Sequence, residues 1–214
     1  MLSLKRIVLL TGLVLAIATW GCAPCNDYKE LLAARDVSIV DLQAQIAERE
    51  AAIAEGQQLA SELREQISQV EAEKAVLVEQ LGEIVTVTIP DEVMFASGQT
   101  MILETMIPTL EALRDGINEY PEWDIHVEGY TDDQKIWEDF HEVWPTNWEL
   151  GAARAAAVTR YMTNWLDMDA TRFAVVSYGP FHPVGDNDTV EGREQNRFVR
   201  IVLHKPERLW ARNQ

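Results

Sequence analysis

Cysteine is almost missing from this 214-residue chain: Cys22 and Cys25, in the run Cys-Ala-Pro-Cys, are the two it has. With both near the N-terminus, no disulfide can staple the remainder of the chain, so the core must hold by packing alone. Their spacing is that of a thioredoxin-type redox pair, but the strand before and the helix after that such a site requires are not there. Basic side chains are scarce too. Lys and Arg number 18 against 35 Asp and Glu, a net charge of -17, and residues 84–214 alone hold 22 acidic and 11 basic residues. No Lys/Arg cluster exists to build a basic face, which excludes nucleic acid as a partner. Proline is absent between Pro24 and Pro90. No Ser or Cys nucleophile stands beside a partner base. His126 and His141 lie near Asp132 and Asp133 in the sequence, yet one falls on an expected strand and the other in a loop. No metal site, no cofactor and no catalysis are expected from them.

What is present begins with Lys5 and Arg6, followed by a largely apolar run from Ile7 to Trp20 and then Gly21-Cys22. The run is shorter than the roughly 20 residues of a membrane-spanning helix. It has the layout of an export signal, and a cysteine at the cleavage point reads as a bacterial lipoprotein. On that reading residues 1–21 are a signal peptide, Cys22 is the acylated residue, and residues 22–27 are a tether. Two or more acyl chains then hold the protein on membrane lipid. Thr19 and Trp20 stand where a lipoprotein box usually has Leu and a small residue. Ala23 after the cysteine points to the outer membrane, with the rest of the chain in the periplasm. An uncleaved membrane anchor is the alternative. Residues 7–21 contain no Asp or Glu, which an ion-conducting helix would need.

Residues 28–83 read as one long coiled-coil helix. With Ile39 at position a, that position holds Ile39, Ile46, Ile53, Ala60, Ile67, Lys74 and Leu81. Position d holds Leu42, Arg49, Gly56, Leu63, Val70, Leu77 and Ile84. A 3.5-residue period kept this long favours a supercoiled homo-oligomer. Arg49, Gly56 and Lys74 are flaws in the seam. A single helix packed on the globular domain is the competing reading.

From residue 84 onward strands and helices alternate. Val85–Ile89, Trp123–Glu128, Arg172–Tyr178 and Phe198–His204 have strand patterns. Helices are expected over about 101–118, with Pro108 kinking or delaying the start, and over about 148–165, with Asn147 as N-cap. A short helix falls at about 190–195. The expected fold class is α/β: a two-layer domain with a four-stranded mixed sheet, residues 84–205, preceded by the helical coiled-coil segment and followed by a tail, 206–214.

Several motifs in order carry a resemblance. They are Gly129-Tyr-Thr-Asp132-Asp133, Asn147-Trp-Glu-Leu-Gly-Ala-Ala-Arg154-Ala, Tyr178-Gly179, Pro183 and Glu191-Gly-Arg193-Glu-Gln-Asn196-Arg197-Phe-Val-Arg200. Together, over about residues 84–204, they resemble the OmpA-like domain. That family unites the C-terminal domains of OmpA-type outer-membrane proteins, peptidoglycan-associated lipoproteins and MotB-type stator proteins. The resemblance implies non-covalent binding of the peptidoglycan stem peptide. Asp132 and Arg154 would receive its diaminopimelate residue, with Asn147, Thr131 and Asn196 adding polar contacts and Arg197 at the rim. A carboxylate and a guanidinium suit a ligand end bearing an ammonium and a carboxylate.

Three positions depart from the family pattern: Tyr130 replaces a usual His, Gly151 a usual Ser, and Phe198 a usual second Arg. The long stretch 134–146, with Trp137, Phe140 and Trp144, is more like the MotB side of the family. It is expected either to fold over the domain or to form a partner surface. The implied function is to tether the outer membrane to the cell wall. The alternative is a MotB-like stator or another inner-membrane-anchored cell-wall anchor.

Overall fold

The computed structural model describes residues 23–68, 76–96 and 98–206. The signal segment, Cys22, heptad positions Val70 and Lys74, and residues 207–214 of the tail lie outside the described residues. The chain divides into two compact units, residues 1–50 and 51–214.

Helix α1, Ala23–Ser68, contributes to both units. Its sequence is rich in Ala, Leu, Glu and Gln, all good helix formers. In the first unit the heptad residues Ile39, Leu42 and Ile46 are exposed. In the second unit the same periodicity has a different use. Leu59, Ala60, Leu63 and Ile67 are buried within the globular core. Here the a and d residues Ala60, Leu63 and Ile67, with Leu59 at the neighbouring g position, pack against the chain's own domain, and among the described residues no second helix pairs with α1 as a coiled coil. Gly56, a flaw in a heptad seam, is functional in this packing. A Cβ there would lie 3.3 Å from Cη2 of the buried Trp123. Arg64 adds two donations to the Val78 carbonyl, at 3.2 and 3.0 Å, and the Tyr120 hydroxyl donates to Glu62 at 3.1 Å.

The helix does not run on to residue 83. Heptad residues Leu77, Leu81 and Ile84 lie instead in a hairpin of strands β1, Leu77–Leu81, and β2, Ile84–Pro90. Turn chemistry overrides the seven-residue spacing. Gly82 takes φ +61°, the left-handed conformation a two-residue hairpin turn demands, and the β-branched run after it favours a strand. The sheet therefore has five strands, not four.

Beyond the hairpin come a short helix α2, Asp91–Met94, and helix α3, Ile107–Asn118. Pro108 sits in the first turn of α3, where its missing N–H costs nothing, so the helix starts late rather than kinking. Strand β3, Asp124–Tyr130, leads through residues 131–146 to helix α4, Asn147–Asn164. Strand β4, Phe173–Gly179, helix α5, Val190–Asn196, and strand β5, Phe198–His204, complete the domain.

The N-cap of α4 is Thr146, not Asn147. Thr146 Oγ1 accepts from Trp148 N–H, and the Glu149 carboxylate accepts from Thr146 N–H at 2.8 Å, forming a capping box. The strand order is β1-β2-β5-β3-β4, with β3 and β4 parallel and every other pair antiparallel. Val85, Val87, Ile89, Ile125, Val127, Val199, Ile201 and Leu203 alternate onto one buried face, against Leu110, Leu113, Ile117, Val158 and Met162 of the helices.

Candidate functional site: a charged cleft at one end of the sheet

Register brings the site together. Pro90 lies opposite Phe198, and Phe198 opposite Tyr130, so the residues just beyond these positions gather at one sheet end. Those residues are Asp91 after β2, Arg197 before β5, and Thr131 and Asp132 after β3. The backbone is tied there by Asp91 N–H donating to the Arg197 carbonyl at 2.9 Å. Helix α4 adds Asn147, Leu150 and Arg154, three positions on one face near its N-terminus. The helix can come this close because Gly129 of β3 and Gly151 of α4 meet without side chains. A Cβ on Gly129 would lie 2.0 Å from the Gly151 carbonyl oxygen.

These residues line a cleft of about 390 Å³, joined by Trp137, Phe140 and Trp144. The 134–146 stretch thus folds over the domain, with Trp137 still 77% exposed at the rim. Arg154 is only 3% exposed. Its Nη2 pairs with Asp91 Oδ2 at 2.8 Å, its Nε donates to the Gln99 carbonyl at 3.4 Å, and its guanidinium lies over Phe95. Asp132 pairs with Arg197 Nη1 at 2.7 Å and accepts from Gln134 N–H at 3.1 Å. Asn147 Nδ2 donates to the carbonyls of Asp132 and Gln134, at 3.2 and 2.9 Å, and fixes the loop leaving β3. Thr131 is buried, and its hydroxyl donates to the Asp132 carbonyl.

Five of the six residues singled out in the sequence, Asp132, Arg154, Asn147, Thr131 and Arg197, therefore share the cleft. Asn196 does not line it. Its Oδ1 accepts from the N–H groups of Val184 and Gly185, and its Nδ2 donates to the Gly185 carbonyl and to Asn187, so it braces the 184–187 loop. Asp91 joins the site without having been singled out. Burial pushes its carboxyl up to about 6, against the pull of Arg154 and Arg197. The signal for it was an acidic residue at a strand end, which becomes informative only once strand order is known.

Two of the departing residues touch each other instead of the cleft. The rings of Tyr130 and Phe198 stack at 4.3 Å on the sheet face away from Gly129 and α4. Arg200 lies over both rings, and the Tyr130 hydroxyl donates to Glu128 at 2.7 Å. Burial first, and then this carboxylate partner, push the hydroxyl pKa well above the usual tyrosine range. The third departure is steric. A Cβ on Gly151 would meet Ser177 Oγ at 2.5 Å, and that hydroxyl is engaged with the Trp148 carbonyl.

His126 and His141 do not converge. The first is 3.2 Å, ring nitrogen to ring nitrogen, from His204, and the second meets the Ile136 carbonyl. Among the described residues no group of three or more His, Cys, Asp or Glu is placed to hold a metal. Within the same residues no helix is long and apolar enough to cross a membrane.

Residues 94–197 match the OmpA family. That match covers just under half of the chain, and the mixed five-stranded sheet with its flanking helices is similar to OmpA/MotB-type domains, which are non-catalytic binding modules. Among similar proteins, YtxE of Bacillus subtilis (strain 168) is 36% identical over 121 residues, covering 56% of this chain and 48% of its own. A MotB-like protein from Desulfovibrio vulgaris superposes with a TM-score of 0.68 at 25% identity, covering 74% of this chain and 99% of that one. The cell wall anchor of the type VI secretion system (T6SS) from Pseudomonas aeruginosa gives 0.59 at 27% identity, covering 67% and 97%. The chain spans about half the length of the curated relatives it matches, from 48% to 55% for the first three.

Proposed function

We propose that this protein is a membrane-anchored cell-wall anchor of the MotB-like kind, whose domain holds peptidoglycan without cutting it. One observation carries this: Asp132 and the buried Arg154 open into the same cleft, in a domain whose similar structures include a cell wall anchor. The ligand is the free end of the stem peptide's diaminopimelate. Its carboxylate goes to Arg154 as charge-assisted hydrogen bonds and its ammonium to the acidic side of the cleft. Thr131 and Asn147 hold the loop bearing Asp132, Arg197 closes the rim, and Asn196, next to Arg197 in the chain, braces the 184–187 loop.

The test is retention of the full chain on insoluble peptidoglycan. Asp132→Ala is expected to bind about 10- to 100-fold more weakly, roughly 1–3 kcal/mol, with an unchanged far-UV circular dichroism spectrum. Wild-type-like retention with the fold intact would move the site away from this residue.

A second reading concerns the anchor. Gly21-Cys22 after a short apolar run favours acylation at Cys22 and an outer-membrane lipid anchor, with the domain in the periplasm. Exposed Ile39, Leu42 and Ile46 on the first half of α1 supply the seam for a homo-oligomer. Cys22→Ala is expected to release the protein from the membrane fraction. A variant that stays as firmly bound as the wild type would favour an uncleaved inner-membrane anchor instead.

A further inference from the structure

Of the five charged side chains lining the cleft, four form two ion pairs, with exposed Lys135 the fifth, and the acceptor capacity of the two carboxylates is spent unequally. Asp132 has both oxygens engaged, Oδ1 by Gln134 N–H and Oδ2 by Arg197. Asp91 has one engaged: Oδ2 meets Arg154, while Oδ1 is buried with no hydrogen-bond partner. Asp91 itself is only 7% exposed. An unmet acceptor on a buried, ion-paired carboxylate in the wall of a cleft calls for a donor, because native interiors rarely leave one unsatisfied.

We propose that Asp91 is a ligand-binding residue of this cleft, accepting a primary ammonium whose neighbouring carboxylate is held by Arg154. It rests on the peptidoglycan reading and deepens it, adding Asp91 as an acceptor for the ammonium beside Asp132, whose two oxygens already have partners. The chemical class recognised is a zwitterionic amino-acid end. Such a group adds no net charge, so the buried Asp91–Arg154 pair stays balanced on binding; a purely anionic or cationic ligand would leave one charge uncompensated. A partial rotation about the Asp91 Cβ–Cγ bond, a broad and roughly two-fold torsion, lets the carboxylate face Arg154 and the ligand together.

The family match begins at Met94, so Asp91 lies outside the matched residues. The groups facing Asp91 are Arg154 of α4, Arg197, Asp132 and its neighbour Glu92, with exposed Lys135 at the rim. Burial sets its carboxyl at about 6, so it is charged at neutral pH and loses that charge just below.

The test is titration calorimetry of the full chain with two synthetic peptides. One is L-Ala-γ-D-Glu-meso-diaminopimelate with its free-end amine intact, and the other is the same peptide acetylated at that amine. Asp91→Asn is expected to weaken the free-amine peptide roughly 10- to 100-fold and the acetylated peptide by about twofold or less. Wild-type affinity for the free-amine peptide should fall between about pH 7.5 and about pH 5, while the Asp91→Asn affinity stays level. Equal weakening of both peptides would make Asp91 a mere prop for Arg154 and overturn the proposal. Equal wild-type affinity for the two peptides at about pH 7.5 would overturn it without any variant. A wild-type protein that binds neither peptide would instead overturn the peptidoglycan reading.

Discussion

Gly129→Ala is expected to lower the stability of the domain by more than about 3 kcal/mol, past the upper end of ordinary overpacking. The new Cβ would stand 2.0 Å from the Gly151 carbonyl oxygen and 2.6 Å from its carbon. Both are backbone atoms, so no side-chain rotation relieves the clash; α4 must move off β3. Asp132 lies three residues beyond Gly129, and Arg154 three beyond Gly151, so the same movement pulls the two sides of the cleft apart. Gly151→Ala should cost less, because its Cβ meets the Ser177 hydroxyl, which can turn away at the loss of one hydrogen bond to the Trp148 carbonyl. Denaturant midpoints with unchanged m-values measure both effects. Equal midpoints for Gly129→Ala and the wild type would mean that α4 and β3 are not in backbone contact.

Apolar and β-branched residues marked four of the five strands, alternating cleanly in β2, because each is flanked by turn residues or a helix with a strong apolar face. Strand β1 escaped for a physical reason. Its leucines fall on the same seven-residue spacing as the helix before it, and only Gly82 at positive φ betrays the hairpin. The heptad pattern was real, yet a stripe of Leu, Ala and Ile does not say what it packs against. For Leu59 to Ile67 the answer is the chain's own core, with Gly56 making room for Trp123.

The candidate site was legible where family motifs name residue types at fixed spacing, as at Asp132 and Arg154. Asp91 was not, since a carboxylate after a proline at a strand end looks like a turn. Its place beside Arg154 depends on strand order and register, which are long-range properties. The mutual stacking of Tyr130 and Phe198 was hidden likewise: they are 68 positions apart in sequence and directly opposite in the sheet.

Arg154→Ala should cost stability as well as binding. The guanidinium is nearly fully buried and is the only cation in direct contact with Asp91 among the described residues. Removing one partner of a buried pair leaves an uncompensated charge and costs about 3–5 kcal/mol. The deficit depends on pH. The Asp91 carboxyl already titrates at about 6 against an ordinary 3.8, because burial outweighs the pull of Arg154 and Arg197. With its folded-state pKa raised, its protonation favours folding, a contribution complete below 3.8 and lost as pH rises through about 6. Without Arg154 the carboxyl rises further, so the variant's deficit should be greatest above neutral pH and shrink as pH falls through 6 and below.

Replacing both partners by apolar residues of similar size, Asp91→Leu with Arg154→Met, should return the denaturation midpoint to within about 1 kcal/mol of wild type. On the proposed function, retention on peptidoglycan should stay lost in that double variant, because the two charges assigned to the ligand are gone while the fold is kept. Arg154→Ala with wild-type stability at about pH 7.5 would show that the Asp91–Arg154 pair carries no weight in the folded domain. A double variant that binds peptidoglycan as well as the wild type would take the binding site out of this cleft altogether.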